Sequence, residues 1–489
     1  MFDDETTEAG AKERLSRRKL LETGAVAGAG LAALSSPLGP MGVALARRSE
    51  QIARMPLNPQ DSVTLRFMTR GGPGYEAFFK DAANRFMKAH SNVTISIEPH
   101  DNDWDTKLKV EMAGGSPPDL VFHADDYLFS YAARGSLMDL APFFKQAGLK
   151  KSDFWPAAIN PQFLGNHLFA MPLDYGLHAL FYNKALFDQQ HISYPTDKWT
   201  WNDFTQAGRR LTLDRSGKRA SDSGFDPNHV KQYGAQNGLY YWVGTILRSN
   251  GGSWATPDMT KATLDTPVAI KTFQWLADLG TKWFVIGSPL YAASQSFDID
   301  NNNIAMQVDG TWKFSEFPHY PNLNWSKGNM DIAPIPLGSK GRVSGAEASG
   351  LVIPAGIKST NAKWAWEFIK WMTTDEGQRV AFSYGVASIP NSPKLAQELI
   401  PQMKLPNNRK IILELLPQAQ IPMWQQAISD QELENTLLLN PWSPAPEMLD
   451  LYKGRKTAAQ AMPIVNKRIQ KLLDNDQQLA KKFGVKLHL

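Results

Sequence analysis

The sequence predicts an α/β fold with more than one domain. Strand-like and helix-like patterns alternate over residues 62–122 in the order strand, helix, strand, helix, strand, which is typical of a parallel sheet. The chain has 489 residues, and about 440 remain beyond an N-terminal targeting segment, enough for two domains of ordinary size. The apolar stretch 165–187 is interrupted by Asp174-Tyr175-Gly176. Strand interiors disfavour Asp and Gly, so an interruption at this point requires an explanation.

The first 46 residues have the order of an export signal. A charged stretch containing Arg17 and Arg18 precedes a weakly apolar run at 24–34, and Ala44-Leu45-Ala46 offers a small-residue cleavage site. Adjacent arginines before such a core resemble the twin-arginine signal and imply transport by the twin-arginine export machinery. The alternative is a membrane anchor, but a spanning helix needs about 20 apolar residues. We expect residues 1–46 to be removed and the remainder to be a soluble periplasmic protein.

The elements of the first domain follow from local patterns. Residues 62–69 and 93–97 alternate as strands, and residues 119–122 read as a short, fully buried strand. Between them, apolar side chains recur at helical spacing over residues 75–87, and residues 104–112 form a second amphipathic pattern. Because ligands bind beyond the carboxyl ends of parallel strands, the residues that follow the first and third strands are candidate ligand contacts. These residues are Arg70, His123, Asp125, Asp126 and Tyr127.

Composition and missing motifs exclude several function classes. The chain has no cysteine, and therefore no disulfide, thiolate metal site, cysteine nucleophile or lipid-anchored cysteine. A formal net charge of +4 without any block of five basic residues does not indicate nucleic-acid binding. The nine histidines show no paired metal-ligand spacing, and nucleophile-elbow, zinc-protease and phosphate-loop motifs are missing. We therefore expect no metal, no cofactor and no enzymatic activity.

Five segments, in order along the chain, carry a family resemblance. Together they resemble the family 1 extracellular solute-binding proteins, the sugar-binding receptors of ABC importers that are similar to maltose-binding protein. The segments are EMAGGSPPDLVFHADDYLFSYAARGSLMDLAPF (111–143), LFAMPLDYGLHALFYNKALFDQQHISYPTDKWTWNDF (168–204), IAMQVDGTWKFSEF (304–317), AKWAWEFIKWMTTDEGQ (362–378) and KTAAQAMPIVNKRIQKLL (456–473).

This resemblance implies a type II-like periplasmic-binding-protein fold, in which two lobes joined by hinge crossings enclose a ligand cleft. It implies that the chain leaves the first lobe at Asp174-Tyr175-Gly176, returns near residues 345–350 and crosses again near 385–391. A few residues at the ends of elements can absorb the rotation of such a closure. The predicted division assigns residues 60–174 and 350–386 to lobe 1, and residues 176–344 and 391–489 to lobe 2.

The chemistry of a sugar site narrows the candidates. Sugar hydroxyls suit charge-assisted hydrogen bonds, and sugar C–H faces lie flat on aromatic rings. By the resemblance, Asp126 aligns with an acidic sugar contact and Trp312 with a stacking tryptophan. The structural alternatives are a helix cap for the Asp125-Asp126 pair, a surface turn for Asp174 and a core position for Trp254 or Trp312. The full predicted set is Arg70, His123, Asp125, Asp126, Tyr127, Asp174, Tyr175, Trp254, Asp309, Trp312, Glu347 and Trp424, with Trp442 as a looser candidate.

The predicted function is that of a substrate-binding receptor, which captures a mono- to oligosaccharide and delivers it to ABC permease subunits. The first alternative is a receptor of the same fold for another solute, such as a polyol phosphate, a polyamine or iron. The second is a glycoside hydrolase with Asp126 as acid and Asp174 as base, since two carboxylates in a cleft are what that reaction requires.

Overall fold

The computed structural model describes residues 40–100, 103–124, 127–236, 242–287, 299–421, 427–428, 445–483 and 487. The strands are β1 Val63–Thr69, β2 Val93–Pro99, β3 Leu120–His123, β4 Phe163–Leu164, β5 His167–Leu168, β6 Met171–Pro172, β7 Gly176–Asn183, β8 Leu213–Asp214, β9 Val230–Gln232, β10 Met306–Gly310, β11 Met330–Ala333, β12 Ala346–Glu347 and β13 Gly350–Val352.

The α-helices surround the two main sheets. They are Pro40–Arg54, Pro73–Ala89, Trp104–Ala113, Leu128–Ala133, Ala141–Gln146, Pro156–Ile159, Lys184–Gln189, Trp201–Leu211, Val243–Ser249, Pro267–Thr281, Lys313–Glu316, Ser359–Thr373, Asp375–Ser383, Pro393–Leu399, Lys410–Leu415, Pro446–Tyr452 and Ala458–Phe483.

The first lobe is built on a five-stranded sheet in the order β2-β1-β3-β13-β6. The predicted parallel arrangement is confirmed, since β1 pairs in parallel with both β2 and β3. The late strand β13 is antiparallel to β3 and β6. Phe67 of β1 packs edge-on against Phe79 and Phe368 from two covering helices. Alternate apolar side chains of the strands therefore pack against the covering helices, and this packing fixes the position of the strand ends.

The second lobe is built on an antiparallel sheet in the order β10-β7-β11, with β12 also pairing with β7. Every residue of β7 is buried. This strand is central and covered on both faces, which explains why its sequence is a nearly continuous apolar run.

The interrupted stretch 165–187 passes from one sheet to the other. Strand β6 belongs to the first sheet, while β7 begins at Gly176 in the second. The chain returns beside this crossing, because β12 pairs with β7 and β13 pairs with β6. The polar insertion therefore lies where the chain leaves one sheet for the other.

The N-terminal helix Pro40–Arg54 extends across the predicted cleavage point. Ile52 and Ala53 belong to the apolar core beneath β1, so the first-lobe core begins before the predicted boundary at residue 60. Lys363 Nζ donates a hydrogen bond of 2.6 Å to the carbonyl of Ala53, which connects this helix to the helix Ser359–Thr373. The twin-arginine motif lies outside the described residues. None of the described helices is long and apolar enough to cross a lipid bilayer.

Candidate functional site

A cleft of about 550 Å³ opens between the two lobes. Its first wall follows the carboxyl ends of β1 and β3, its second follows the end of β10, and the crossings form its base. The lining residues are Arg70, Gly71, Gly72, Tyr75, Trp104, Ala124, Tyr127, Asp174, Gln236, Trp242, Gln307, Asp309, Trp312, Glu316, Glu347 and Ser349.

Asp174 accepts two hydrogen bonds at the crossing. Tyr75 donates its hydroxyl to Oδ2 over 2.8 Å, and the Ser349 N–H donates to Oδ1 over 2.7 Å. Arg70 in turn donates to Ser349 Oγ over 2.6 Å. Burial raises the pKa of Asp174 to about 6, although the charge of Arg70 and these hydrogen bonds act to lower it. Asp174 is therefore a cleft carboxyl that links the two adjacent crossings.

Arg70 brings a positive charge to the first wall. Its guanidinium lies 4.7 Å from the ring centroid of Phe122 and 5.9 Å from that of Trp104. Its Nε is buried and has no hydrogen-bond partner among the described residues. The loop behind it turns at Gly71, whose φ of 99° a side chain would strain. Two aromatic rings therefore hold this cation at the first wall of the cleft.

Asp309 provides the matching carboxyl of the second wall. The Gly310 N–H donates to its Oδ1 over 2.7 Å, and Gln307 Nε2 donates to its Oδ2 over 2.5 Å. Burial raises the pKa of Asp309 to about 6, while the nearby charge of Lys313 lowers it. Lys313 Nζ also lies 2.6 Å from Glu316 Oε2, so its charge is shared between two carboxyl groups.

The indole of Trp312 packs against two glycines, Gly176 and Gly310, which have no side chain. A Cβ on Gly310 would be 2.0 Å from Cζ3 of the indole, and one on Gly176 would be 2.5 Å from Cε3. His178 lies beneath, 6.0 Å from Trp312 and 4.1 Å from Trp242 between ring centroids. Burial lowers the pKa of His178 to about 3, so the ring is uncharged where it packs against Trp242 and Trp312. The two glycines therefore leave room for the indole at this position, and the rest of its surface lines the cleft.

Of the predicted residues, the structure brings six to the cleft. They are Arg70, Tyr127, Asp174, Asp309, Trp312 and Glu347. Glu347 arrives through β12, where it pairs with Gly176 across the crossing. Asp125, Asp126, Trp424 and Trp442 lie outside the described residues.

Three predicted residues are placed in the interior instead. Trp254 is 1% exposed within the second-lobe core, in agreement with the core alternative. Tyr175 is also 1% exposed, because it points away from the cleft-facing Asp174. His123 lies behind the first wall, with Nδ1 2.6 Å from the Ala124 carbonyl oxygen and its ring against the edge of Trp104. It therefore supports Trp104 from behind.

Sequence reasoning missed several lining residues. They are Tyr75, Trp104, Gln236, Trp242, Gln307, Glu316 and Ser349. Tyr75 and Trp104 belong to the two amphipathic helical patterns of the first domain, and each lies in the first turn of a helix that begins at the cleft. Their position just after a strand-end loop was the signal that could have identified them.

Comparison with known proteins gives the family. The family of bacterial extracellular solute-binding proteins matches residues 68–379, and the chain belongs to it. An erythritol/L-threitol-binding protein of Mycolicibacterium smegmatis is 25% identical over 418 residues, covering 78% of this chain and 83% of the relative. A maltotriose-binding protein of Pyrococcus abyssi is 24% identical over 303 residues, covering 61% of this chain and 59% of the relative.

Solved structures agree on the fold. An ABC substrate-binding protein of Listeria monocytogenes in complex with cycloalternan superposes with a TM-score of 0.70 at 21% identity, covering 87% of this chain and all of that one. The acarbose-binding GacH receptor of Streptomyces glaucescens gives 0.68 at 19% identity, over 85% of this chain and 99% of that one. The two-lobe periplasmic-binding-protein fold predicted from the sequence is confirmed.

Proposed function

We propose that this chain is the substrate-binding receptor of an ABC importer and that it captures a carbohydrate in the cleft. The observation that carries the proposal is that two tryptophans and two half-buried carboxyl groups line one cleft, with Trp104 on the first wall, Trp312 and Asp309 on the second, and Asp174 at the base. Support also comes from family membership and from relatives named for maltotriose and acarbose binding.

Each part of this arrangement suits one part of a sugar. Carboxylates accept hydrogen bonds from hydroxyl groups, while Arg70 donates to hydroxyl and ring oxygens. Indole rings accept the flat C–H face, where apolar contact is favourable and no hydroxyl is buried without a partner. Because walls from different lobes carry these groups, the full set of contacts requires both lobes to approach the ligand.

Closure about the crossings is the motion we propose for capture. The first-lobe and second-lobe boundaries follow the division predicted above, extended to include the helix that contains Ile52. Asp174 touches Ser349 across two neighbouring crossings, so rotation of the lobes changes the surroundings of this carboxyl directly. The closed receptor then presents the ligand to the permease subunits.

A polyol is the second candidate ligand, favoured by the erythritol/L-threitol-binding relative. A polyol has hydroxyl groups but no flat ring, so it would rely on the carboxyl groups more than on the tryptophans. A polyol phosphate fits less well, because Asp174, Asp309, Glu316 and Glu347 all line the cleft and repel a dianion. We propose no catalytic role for the carboxyl groups, in keeping with a solute-binding family.

The proposed location is the periplasm, reached through the twin-arginine pathway. Support comes from the paired arginines at 17 and 18 and from a family described as extracellular. The lack of cysteine is compatible with folding before export, since no disulfide has to form outside the cytoplasm.

The test is a thermal-shift screen of the mature chain against mono- and oligosaccharides, polyols and polyol phosphates, followed by calorimetry on the hits. A true ligand at 100 times its dissociation constant adds about 2.7 kcal/mol of stability. Chromatography after prolonged incubation should recover the sugar unchanged. A polyol hit with no sugar hit would select the second candidate, while released reducing ends would contradict a receptor function.

A further inference from the structure

A second cavity, of about 770 Å³, lies within the second lobe. It is bounded by the helices Trp201–Leu211 and Pro267–Thr281 and by the loop 337–339. It shares no lining residue with the interlobe cleft. The helix Val243–Ser249 separates the two, since its preceding residue Trp242 lines the cleft and its following residue Asn250 lines this cavity, roughly 12 Å apart along the axis.

The walls of this cavity are fixed by hydrogen bonds. The Leu337 carbonyl accepts from the Trp201 N–H over 3.2 Å, and the Ser339 N–H donates to Asn250 Oδ1 over 3.1 Å. The indole N–H of Trp275 donates to Thr205 Oγ1 over 3.2 Å. These contacts hold the loop and the rings in one arrangement, so the cavity exists before any ligand enters.

The lining has a distinctive composition. Trp275 and Trp283 are partly exposed, and Trp275 packs edge-on against Trp201 with ring centroids 5.5 Å apart. Arg209 and Lys271 are charged lining residues, whereas no described lining residue is Asp or Glu. Arg209 Nε is buried without a hydrogen-bond partner in the described part of the chain. The interlobe cleft, with four carboxyl side chains, has the opposite character.

We propose that this cavity is a binding site for a small organic anion with a flat apolar face, such as an aromatic carboxylate or sulfonate. The ring of the ligand would lie on Trp275 and Trp283, where large apolar surfaces are available. Its anionic group would accept hydrogen bonds from Arg209 and Lys271, and hydrogen bonds to charged groups are the stronger kind. Nothing in this proposal depends on the ligand of the cleft.

The probe is 8-anilinonaphthalene-1-sulfonate, and N-phenyl-1-naphthylamine serves as its uncharged counterpart. Both are titrated by fluorescence into the mature chain, and calorimetry gives the stoichiometry. The test variant is Arg209→Gln with Lys271→Gln, and the matched control is Arg210→Gln with Lys261→Gln, which changes exposed charges outside the lining. Melting temperatures of both variants verify that the fold is intact.

The expected result is one site that prefers the sulfonate, with about tenfold weaker sulfonate binding in the test variant. The control variant should match the wild type, and binding of the uncharged probe should be the same in all three proteins. Trp283→Ala should weaken both probes, because it removes shared ring contact. Equal affinity for both probes in the wild type, or unchanged sulfonate binding in the test variant, would overturn the proposal.

Discussion

Replacing Trp312 by alanine tests the proposed site most directly. The indole lies against Gly176 and Gly310, so its position is set before ligand arrives. Stacking a sugar on the exposed part of the ring would bury roughly 100 Å² of apolar surface, worth near 2.5 kcal/mol at ~25 cal/mol/Å². With the dependence on stacking geometry included, Trp312→Ala should cost roughly 2–4 kcal/mol of binding free energy, which is roughly a 30- to 700-fold loss of affinity.

Trp254 supplies a matched control for this experiment, since it is a tryptophan of the same lobe in the core. Trp254→Ala should lower stability by roughly 3–5 kcal/mol, as large core truncations do, yet leave affinity unchanged in the folded protein. Trp312→Phe should recover part of the binding, because a smaller ring retains a face. Calorimetry gives the affinities and ligand-free melting gives the stabilities. Normal affinity in a folded Trp312→Ala protein would refute the reasoning.

Four further outcomes are expected. Gly310→Ala should weaken ligand binding measured by calorimetry, because the new methyl group would lie 2.0 Å from Trp312 and must displace the ring. Burial raises the pKa of Asp309 from 3.8 to about 6, so the free energy of unfolding should fall as the pH rises through that window, and Asp309→Asn should lessen this fall in melting temperature while the contribution of Asp174 remains. Small-angle scattering should show a smaller radius of gyration with bound ligand; equal radii at saturation would contradict closure. Arg17→Lys with Arg18→Lys should retain the precursor in the cytoplasm, as fractionation and immunoblotting would reveal, whereas normal export would exclude the twin-arginine pathway.

Strands β1, β2 and β3 of the first sheet could be predicted because their signals are local. The pattern at residues 62–69 contains the apolar alternation that β1 uses, and the short apolar run at 119–122 overlaps β3. The interruption could be located for a similar reason, since a strand interior disfavours Asp and Gly, but only the family resemblance identified it as a crossing between lobes. In contrast, strand β13 lies more than 170 residues after β6 in the sequence and still joins the first sheet beside it. No local pattern specifies that pairing.

The direction of individual side chains was harder to predict. Trp254 is a predicted ligand contact that follows Gly251 and Gly252, and such a loop could place the indole in the cleft. Instead, Gly252 packs so closely on Leu247 that a Cβ would lie 2.4 Å from its Cδ1, and the loop folds back on its own lobe. A loop pattern indicates that the chain turns but not which surface it turns toward, so tertiary packing decided the position of Trp254.

Each residue of the Asp174-Tyr175-Gly176 insertion has its own structural role at the crossing. Successive positions of an extended chain face opposite directions, so Asp174 faces the cleft and Tyr175 enters the core, while Gly176 faces the indole of Trp312. Asp174 holds the returning crossing through the Ser349 N–H, and Gly176 leaves room for the indole of Trp312. An uninterrupted apolar strand would retain the core contact of Tyr175 but lose the carboxyl and displace the ring. The same alternation that secures the crossing to the core therefore leaves its other face free to form the base of the cleft.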